Sequence, residues 1–254
     1  MPSSTRTVFA NNMRWIYISP HFDDVVLSCG GLIWEQTQKG IPVEIWTICA
    51  GDAPQDSLSP LAVECHIQWG IESVKDLVAV RRAENMKAAR QVGAETVDFS
   101  IPDCIYRASP TGEFLYPQEV FVPIHSFEKD LDQEIAAALA TELQPGDIAV
   151  SPLAIGGHLD HILTRRAVEH LECTLWYYAD IPYLLSNPQM LLPAIKVLKG
   201  TLHPVSEKGL DAWQSGISAY ASQILMLFET EEKMKKEILN YWGIQRGISL
   251  WCAK

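Results

Sequence analysis

Two short clusters in the sequence combine histidine with aspartate, the residue types that bind catalytic metal ions and transfer protons beside them. The first is SPHFDD at residues 19–24, and the second is GGHLDH at residues 156–161. Two consecutive carboxylates repel each other, and burial raises that cost, which a divalent cation offsets. A tight turn can aim His21 and Asp24 at one point, because they are three residues apart. Asp23 then stays free for proton transfer.

Each cluster taken alone has a structural explanation. An isolated His-x-x-Asp can cap a helix, since Asp is favoured at the N-cap. A lone histidine is more often a surface or satisfied core residue, and this interpretation applies to His66, His125, His170 and His203. The second cluster repeats the three-residue spacing at His158 and His161. Because both clusters follow a predicted strand, a shared metal site is favoured over two separate caps.

The pattern of apolar residues predicts the elements that position the clusters. Strands are predicted at residues 14–19, 43–49, 96–100, 147–153 and 175–178, and helices at 26–38, 77–91, 130–143, 163–171, 208–227 and 230–241. Alternating strands and helices build a parallel sheet, whose ligand sites lie at the carboxyl ends of strands. We therefore expect residues 1–254 to form a single Rossmann-like α/β domain. Its mostly parallel sheet is flanked by helices, and loops at 51–76 and 104–127 form the pocket rim.

Composition excludes some functions and partners. There are 20 basic and 31 acidic residues, a formal charge of −11, which argues against nucleic-acid binding. The six cysteines form no CxxC pair, so a cysteine zinc site is not expected, and reduced thiols fit a cytoplasmic location. Residues 1–12 lack the apolar core of a secretory signal, and no run reaches the about 18 apolar residues that span a membrane. A homo-oligomer is compatible with this composition.

The two clusters resemble the motifs of the PIG-L/LmbE-like zinc deacetylases, which remove N-acetyl groups from substrates that contain N-acetylglucosamine (GlcNAc). The P-H-x-D-D motif matches residues 20–24, and the H-x-D-H motif matches residues 158–161. Weaker similarity covers residues 81–93, 102–103, 177–183 and 208–223. Phe22 replaces the common proline, and Val25 replaces a common glutamate. The second change points to a branch other than the best-known cofactor-biosynthesis enzymes.

This resemblance implies an LmbE-like fold and one zinc ion, or another divalent metal, per chain. The implied metal ligands are His21, Asp24 and His161. The implied catalytic residues are Asp23 as general base, His158 as oxyanion stabiliser, and Asp160, which orients His158 or His161. The candidate substrate contacts are Arg81, Arg82, Asp103 and Tyr178. Salt bridges to Glu84 are an equal alternative for the arginines, and packing is the alternative for Tyr178 and Tyr183.

The expected function is metal-dependent removal of an N-acetyl group from a GlcNAc-containing sugar or glycoconjugate. Two alternatives stay open. The same residues could hydrolyse another amide or an ester on a non-sugar metabolite, or the chain could be an inactive sugar-binding homologue. The free carboxylate of Asp23 argues against the inactive homologue, and acetate release separates the two hydrolytic functions. The sequence does not identify the substrate.

Overall fold

The computed structural model describes residues 13–54, 56–70 and 74–254. These residues form a seven-stranded mixed sheet with helices packed against it. The strands are β1 Trp15–Ser19, β2 Val43–Thr47, β3 Glu95–Asp98, β4 Ile148–Pro152, β5 Thr174–Tyr178, β6 Leu198–Pro204 and β7 Gly247–Ala253. Their order is β3-β2-β1-β4-β5-β7-β6. Strands β1 to β5 are parallel, and β7 is antiparallel to both β5 and β6. The predicted α/β class with a mostly parallel sheet is confirmed.

Helices cover both faces of this sheet. They are α1 Asp24–Gln38, α2 Pro60–Trp69, α3 Val74–Val92, α4 Leu131–Glu142, α5 Leu159–Glu169, α6 Tyr183–Ser186, α7 Leu191–Ala194, α8 Glu207–Ile217, α9 Ala221–Phe228 and α10 Glu231–Gln245. Successive side chains of β1 enter opposite layers: Tyr17 packs in the core beneath α1, α3 and α8, and Ile18 in the core beneath α4 and α5. A central strand buried on both faces explains the nearly continuous apolar run in β1. No described helix combines the length and apolar character needed to cross a membrane.

Strand order sets the place of the two clusters. Strands β1 and β4 are neighbours, with Trp15 opposite Ile148, and the strand order reverses between them. A crevice opens outside the carboxyl ends of the strands at such a switch point. The loop after β1 carries the first cluster and the loop after β4 carries the second. The topology therefore brings the two clusters together.

Two glycines of α1 allow a close approach of α8. A Cβ atom on Gly30 would lie 2.7 Å from Cδ1 of Trp213, and one on Gly31 would lie 3.1 Å from Cε3 of the same side chain. The Trp213 indole donates hydrogen bonds to the carbonyls of Val26 and Leu27, at 2.8 and 3.0 Å. The glycine pair thus serves helix packing.

Several predicted element boundaries were wrong. Helix α2 was missed, although Ser59 caps it and Pro60 begins it, which is a recognised start signal. The single helix predicted at 208–227 is two helices, α8 and α9. Strands β6 and β7 were also missed. In β6, glycine and proline lower the strand propensity, and the exposed face shows no apolar alternation. The N-terminal residues 1–12 lie outside the described residues.

Candidate metal centre and active site

The first cluster forms a tight turn between β1 and α1. Ser19 Oγ donates to the His21 carbonyl and accepts from the Val25 amide at 3.2 Å. The Asp24 carboxylate accepts from the His21 amide at 2.8 Å. These bonds hold His21 and Asp24 on one side of the turn. Asp23 is at the N-cap position of α1 but makes no side-chain capping bond, so capping does not explain this cluster.

The second cluster connects β4 to α5. Gly156 and Gly157 have φ values of 96° and 80°, a region that favours glycine. A Cβ atom on Gly156 would lie 2.6 Å from the ring of Tyr183. His158 caps α5, because its Nδ1 accepts from the Asp160 amide at 3.2 Å. This cap begins the helix at residue 159, four residues earlier than predicted, and places His161 in its first turn.

His21, Asp24 and His161 converge at one buried point. Each offers a ligand atom, and the three atoms lie within 4.8 Å of one another. The Asp24 carboxylate is 3.4 Å from His21 Nδ1 through one oxygen and 3.4 Å from His161 Nε2 through the other. Burial opposes its charge, but His161 and His21 hold the pKa of Asp24 below its ordinary value. Two imidazoles and a carboxylate form a donor set typical of catalytic zinc sites.

The remaining nitrogens of the two rings face other carboxylates. His21 Nε2 lies 3.1 Å from Asp160, and His161 Nδ1 lies 2.7 Å from Asp180. Such contacts orient metal-ligating histidines and fix their tautomers. His161 Nε2 is buried and has no hydrogen-bond partner among the described residues. An orphaned ring nitrogen that lies beside a carboxylate and a second histidine fits a divalent metal, since most buried polar atoms in proteins have a partner.

This arrangement corrects the expected contacts of Asp160. Its carboxylate lies against His21 and not against the rings of His158 or His161, whereas Asp180 contacts His161. Asp180 was not among the predicted site residues, although it lies in the 177–183 segment that supports the family resemblance. The contact between Asp180 and His161 depends on the β4–β5 pairing, which brings the end of β5 beside α5. Local sequence spacing carries no signal for that pairing.

Two further groups of possible ligands share Asp160, one with His21 and Cys49 and the other with Cys104 and His158. Asp160 is a poor choice for a metal ligand, because Arg107 lies 2.7 Å from it and already compensates its charge. Burial also raises the pKa of the thiols of Cys49 and Cys104, which disfavours thiolate ligation. The group of His21, Asp24 and His161 is therefore the best metal site in the described part of the chain.

Asp23 and His158 flank this metal site without belonging to it. Burial raises the pKa of Asp23 against the opposing charge of Arg81, whose Nη2 is 3.5 Å away. Burial lowers the pKa of His158 well below its ordinary value, and the adjacent His21 and His161 lower it further. His158 is thus neutral near pH 7. Because its Nδ1 accepts a backbone hydrogen bond, Nε2 carries the proton and can donate.

A cavity of about 230 Å³ opens on these residues. Its polar lining includes His21, Asp23, Asp24, Arg81, Asp103, His158 and Gln223, and its walls include Leu27, Leu61, Trp69, Ile105, Val120, Phe121, Tyr183 and Met226. The Arg81 guanidinium lies 3.8 Å from Asp103 and 4.7 Å above the Trp69 ring. A larger groove of about 720 Å³ between α6 and α10 contains no member of either cluster, so it is not the site of this chemistry.

Two of the predicted substrate contacts lie away from this cavity. Arg82 pairs with Asp98 at 2.9 Å and donates to the Ala50 carbonyl at 2.8 Å. Tyr178 is fully buried, and its hydroxyl donates to the Ile18 carbonyl at 3.0 Å. We therefore leave Arg82 and Tyr178 out of the proposed substrate contacts.

The structure also shows the surroundings of Glu84, Tyr183 and Val25, whose roles the sequence left open. Glu84 accepts two hydrogen bonds from Ser222, at 2.8 and 2.7 Å, and the described ion pairs join neither arginine to it. Tyr183, for which packing was the alternative left open, lines the cavity. Val25, in the first turn of α1, is fully buried in the apolar core, where a glutamate would lack water.

Comparisons with known proteins show the family of this chain. The family model described as PIG-L, GlcNAc-PI de-N-acetylase, matches residues 16–172, more than half of the chain. The 2'-N-acetylparomamine deacetylase of Niallia circulans is 28% identical over 262 residues, which cover 93% of this chain and 89% of the relative.

Solved structures share the fold along almost the whole chain. The zinc-inhibited form of teicoplanin deacetylase Orf2 has a TM-score of 0.79 and 26% identity, covering 94% of this chain and 97% of that chain. The A40926 pseudoaglycone deacetylase Dbv21, at 24% identity, has a TM-score of 0.76 and covers 96% of this chain and 98% of that chain, so it shows the shared fold. This chain therefore belongs to the PIG-L family of hydrolytic N-deacetylases.

Proposed function

We propose that this protein is a zinc-dependent deacetylase that removes the N-acetyl group from a GlcNAc-containing sugar or glycoconjugate. The convergence of His21, Asp24 and His161, with the orphaned Nε2 of His161, is the observation that carries the proposal. These three side chains would hold the metal, as three protein ligands do in catalytic zinc sites. A divalent metal held there would supply Lewis-acid chemistry, acidifying a water molecule and polarising an amide carbonyl.

Asp23 is the proposed general base. It lines the cavity, it is not one of the three proposed metal ligands, and burial raises its pKa above the ordinary value of a carboxyl group. A carboxylate in this position accepts a proton from the attacking water and returns it to the leaving amine. Arg81 holds the carboxylate towards the cavity from 3.5 Å away.

His158 is the proposed donor to the oxyanion that forms as water adds to the amide. Its ring centroid lies 4.9 Å from that of His21 and 5.2 Å from that of His161, so it stands beside both proposed histidine ligands. The backbone cap fixes its tautomer with the proton on Nε2. A neutral donor held in place before the reaction costs no reorganisation when charge develops.

Arg81 and Asp103 are the proposed contacts to sugar hydroxyls. They supply one donor and one acceptor on the same wall of the cavity, beside the flat ring of Trp69. The cavity is smaller than the about 300 to 1,000 Å³ of a typical ligand pocket, so we expect it to hold the N-acetylated ring and to leave the rest of a glycoconjugate outside. The substrates named for relatives, 2'-N-acetylparomamine and teicoplanin, support this choice.

The cysteines and the net charge support the proposed location and partners of the enzyme. All six cysteines are free thiols, which supports a cytoplasmic enzyme. The net charge of −11 favours a small sugar-type substrate over nucleic acid.

Metal analysis combined with acetate release tests this function. The purified protein should contain or take up one divalent ion per chain and release acetate from some of a panel of N-acetylated sugars, aminoglycosides and glycopeptides. His161→Ala should lose stoichiometric metal and acetate release together. A wild-type protein with one bound metal that hydrolyses esters or other amides, but frees no acetate, would reassign the substrate. A folded wild-type protein that binds no divalent ion would refute the metal mechanism.

A further inference from the structure

A buried arginine outside both clusters lies at the centre of a network of carboxylates. Arg107 is 2.6 Å from Glu128 through Nε and 2.7 Å from Asp160 through Nη2. Its Nη1 donates to the Pro102 carbonyl at 3.2 Å, and its guanidinium lies 5.5 Å from the centre of the Tyr116 ring. The planar fork of arginine can hold two carboxylates at fixed positions, which a lysine ammonium cannot do.

Asp160 connects this network to the proposed metal site. One of its oxygens is paired with Arg107, and the other lies 3.1 Å from His21 Nε2. That second oxygen also accepts from the Cys104 amide at 3.0 Å. Asp160 is fully buried, so Arg107 is the cation that compensates it when His21 is neutral. The position of the His21 ring therefore depends on the contact between Arg107 and Asp160.

The same arginine anchors the segment that forms one wall of the cavity. Residues 107–128 contain no regular strand and only one short 3-10 helix, Ser126–Glu128. Glu128 accepts from the Tyr116 hydroxyl at 2.6 Å, and this hydroxyl accepts from the His125 amide at 2.8 Å. Between these anchors the segment carries Val120 and Phe121 into the cavity wall.

We propose that Arg107 is a positioning residue that holds Asp160 against His21 and so sets the affinity of the site for its metal. This inference rests on the proposed metal-dependent function, because it concerns a proposed ligand of that metal. Through Glu128 the same contact fixes the cavity wall to the metal site. Arg107 does not line the cavity and touches no reacting atom, so it acts through Asp160 alone at the metal.

Zinc titration of the full-length metal-free protein tests this proposal. Arg107→Lys keeps the charge but cannot span both carboxylates, and it should raise the zinc Kd about 10- to 100-fold, the range found when partners of metal ligands are replaced. The control is Arg165→Lys on α5, because the partly exposed Arg165 pairs with Glu169 and contacts neither Asp160 nor His21. This control should stay within about twofold of wild type. At saturating zinc, kcat of the Arg107→Lys variant should recover most of the wild-type value, since no reacting group is lost.

A second variant keeps the test informative if Arg107→Lys does not fold. Arg107→Met with Glu128→Gln removes the cation together with one of its two carboxylates, and it should weaken zinc binding in the same direction. Melting of the metal-free proteins separates stability from metal affinity. Wild-type zinc affinity in either folded variant would overturn the role of Arg107. Absence of zinc binding by the wild-type protein would instead refute the proposed function, so the two failures are distinct.

Discussion

His161 lies between two carboxylates: its Nδ1 is 2.7 Å from Asp180, and its Nε2 is 3.4 Å from Asp24. Both His161 and Asp180 are almost completely buried, and Asp180 also accepts from the Ile155 amide at 3.0 Å. One carboxylate orients the ring, and the other shares the proposed metal with it.

Asp180→Asn should therefore weaken metal binding. The substitution keeps the shape of the side chain but removes the charge that orients His161, and we expect the metal Kd to rise about 10- to 100-fold. Competition with a chromophoric chelator measures this change. The control is Asp132→Asn. Asp132 also faces a histidine ring, at 3.1 Å from His170, but this pair lies outside both clusters. Equal Kd values for the two variants would contradict the role of Asp180.

Asp23→Asn should retain the metal and lose turnover. The amide cannot accept the proton of the attacking water, so kcat should fall about 10²- to 10⁴-fold. Acetate release and metal content are measured on the same preparation. Near wild-type kcat would show that Asp23 is not the base, and loss of stoichiometric metal would show that it is a ligand.

His158→Asn should reduce kcat about 10²- to 10³-fold with little change in KM, because the donor acts on charge that develops in the transition state. Asparagine is a good N-cap residue, so the start of α5 should be preserved. Steady-state kinetics and a melting curve give the two readouts. An unchanged kcat in a protein with a wild-type melting temperature would eliminate His158 as the oxyanion donor.

Arg81 and Arg82 form a matched pair for the substrate contacts. Arg81 lines the cavity, whereas Arg82 pairs with Asp98 outside it. Arg81→Gln should lower kcat/KM about tenfold or more, since a hydrogen bond to a charged group contributes about 1.5 to 3 kcal/mol. Arg82→Gln should leave kcat/KM within about twofold, because partly exposed ion pairs contribute little. The opposite ranking would place the sugar contact on Arg82.

His66 should make the protein less stable as the pH falls. Burial lowers its pKa, and its Nε2 lies 2.7 Å from the Tyr106 hydroxyl. The unfolded chain takes up a proton near the ordinary pKa of about 6.5, above the folded-state value. Stability contributed by the neutral ring is therefore present above pH 6.5 and lost as the pH falls below it. His66→Gln should flatten the dependence of melting temperature on pH between about 7 and 5; an unchanged slope would contradict this assignment.

The sequence predicted what local patterns encode. The apolar runs placed all five parallel strands, and the position of His21 and His161 after β1 and β4 indicated that they meet. The contacts of Arg107 with Asp160 and of Asp180 with His161 had no such signal, because each joins segments that only the folded chain brings together. The same limit applies to β7, whose place beside β5 depends on an antiparallel return of the chain.

Trp213 joins the C-terminal part of the chain to the helix that follows the first histidine cluster. Its indole donates to Val26, 187 residues earlier, on the helix that begins with Asp24. A nascent chain that already contains both histidine clusters therefore still has the Gly30–Gly31 surface of that helix open to water until α8 is synthesised and packs against it. The helix that carries Asp24 is thus completed by a residue from near the other end of the sequence.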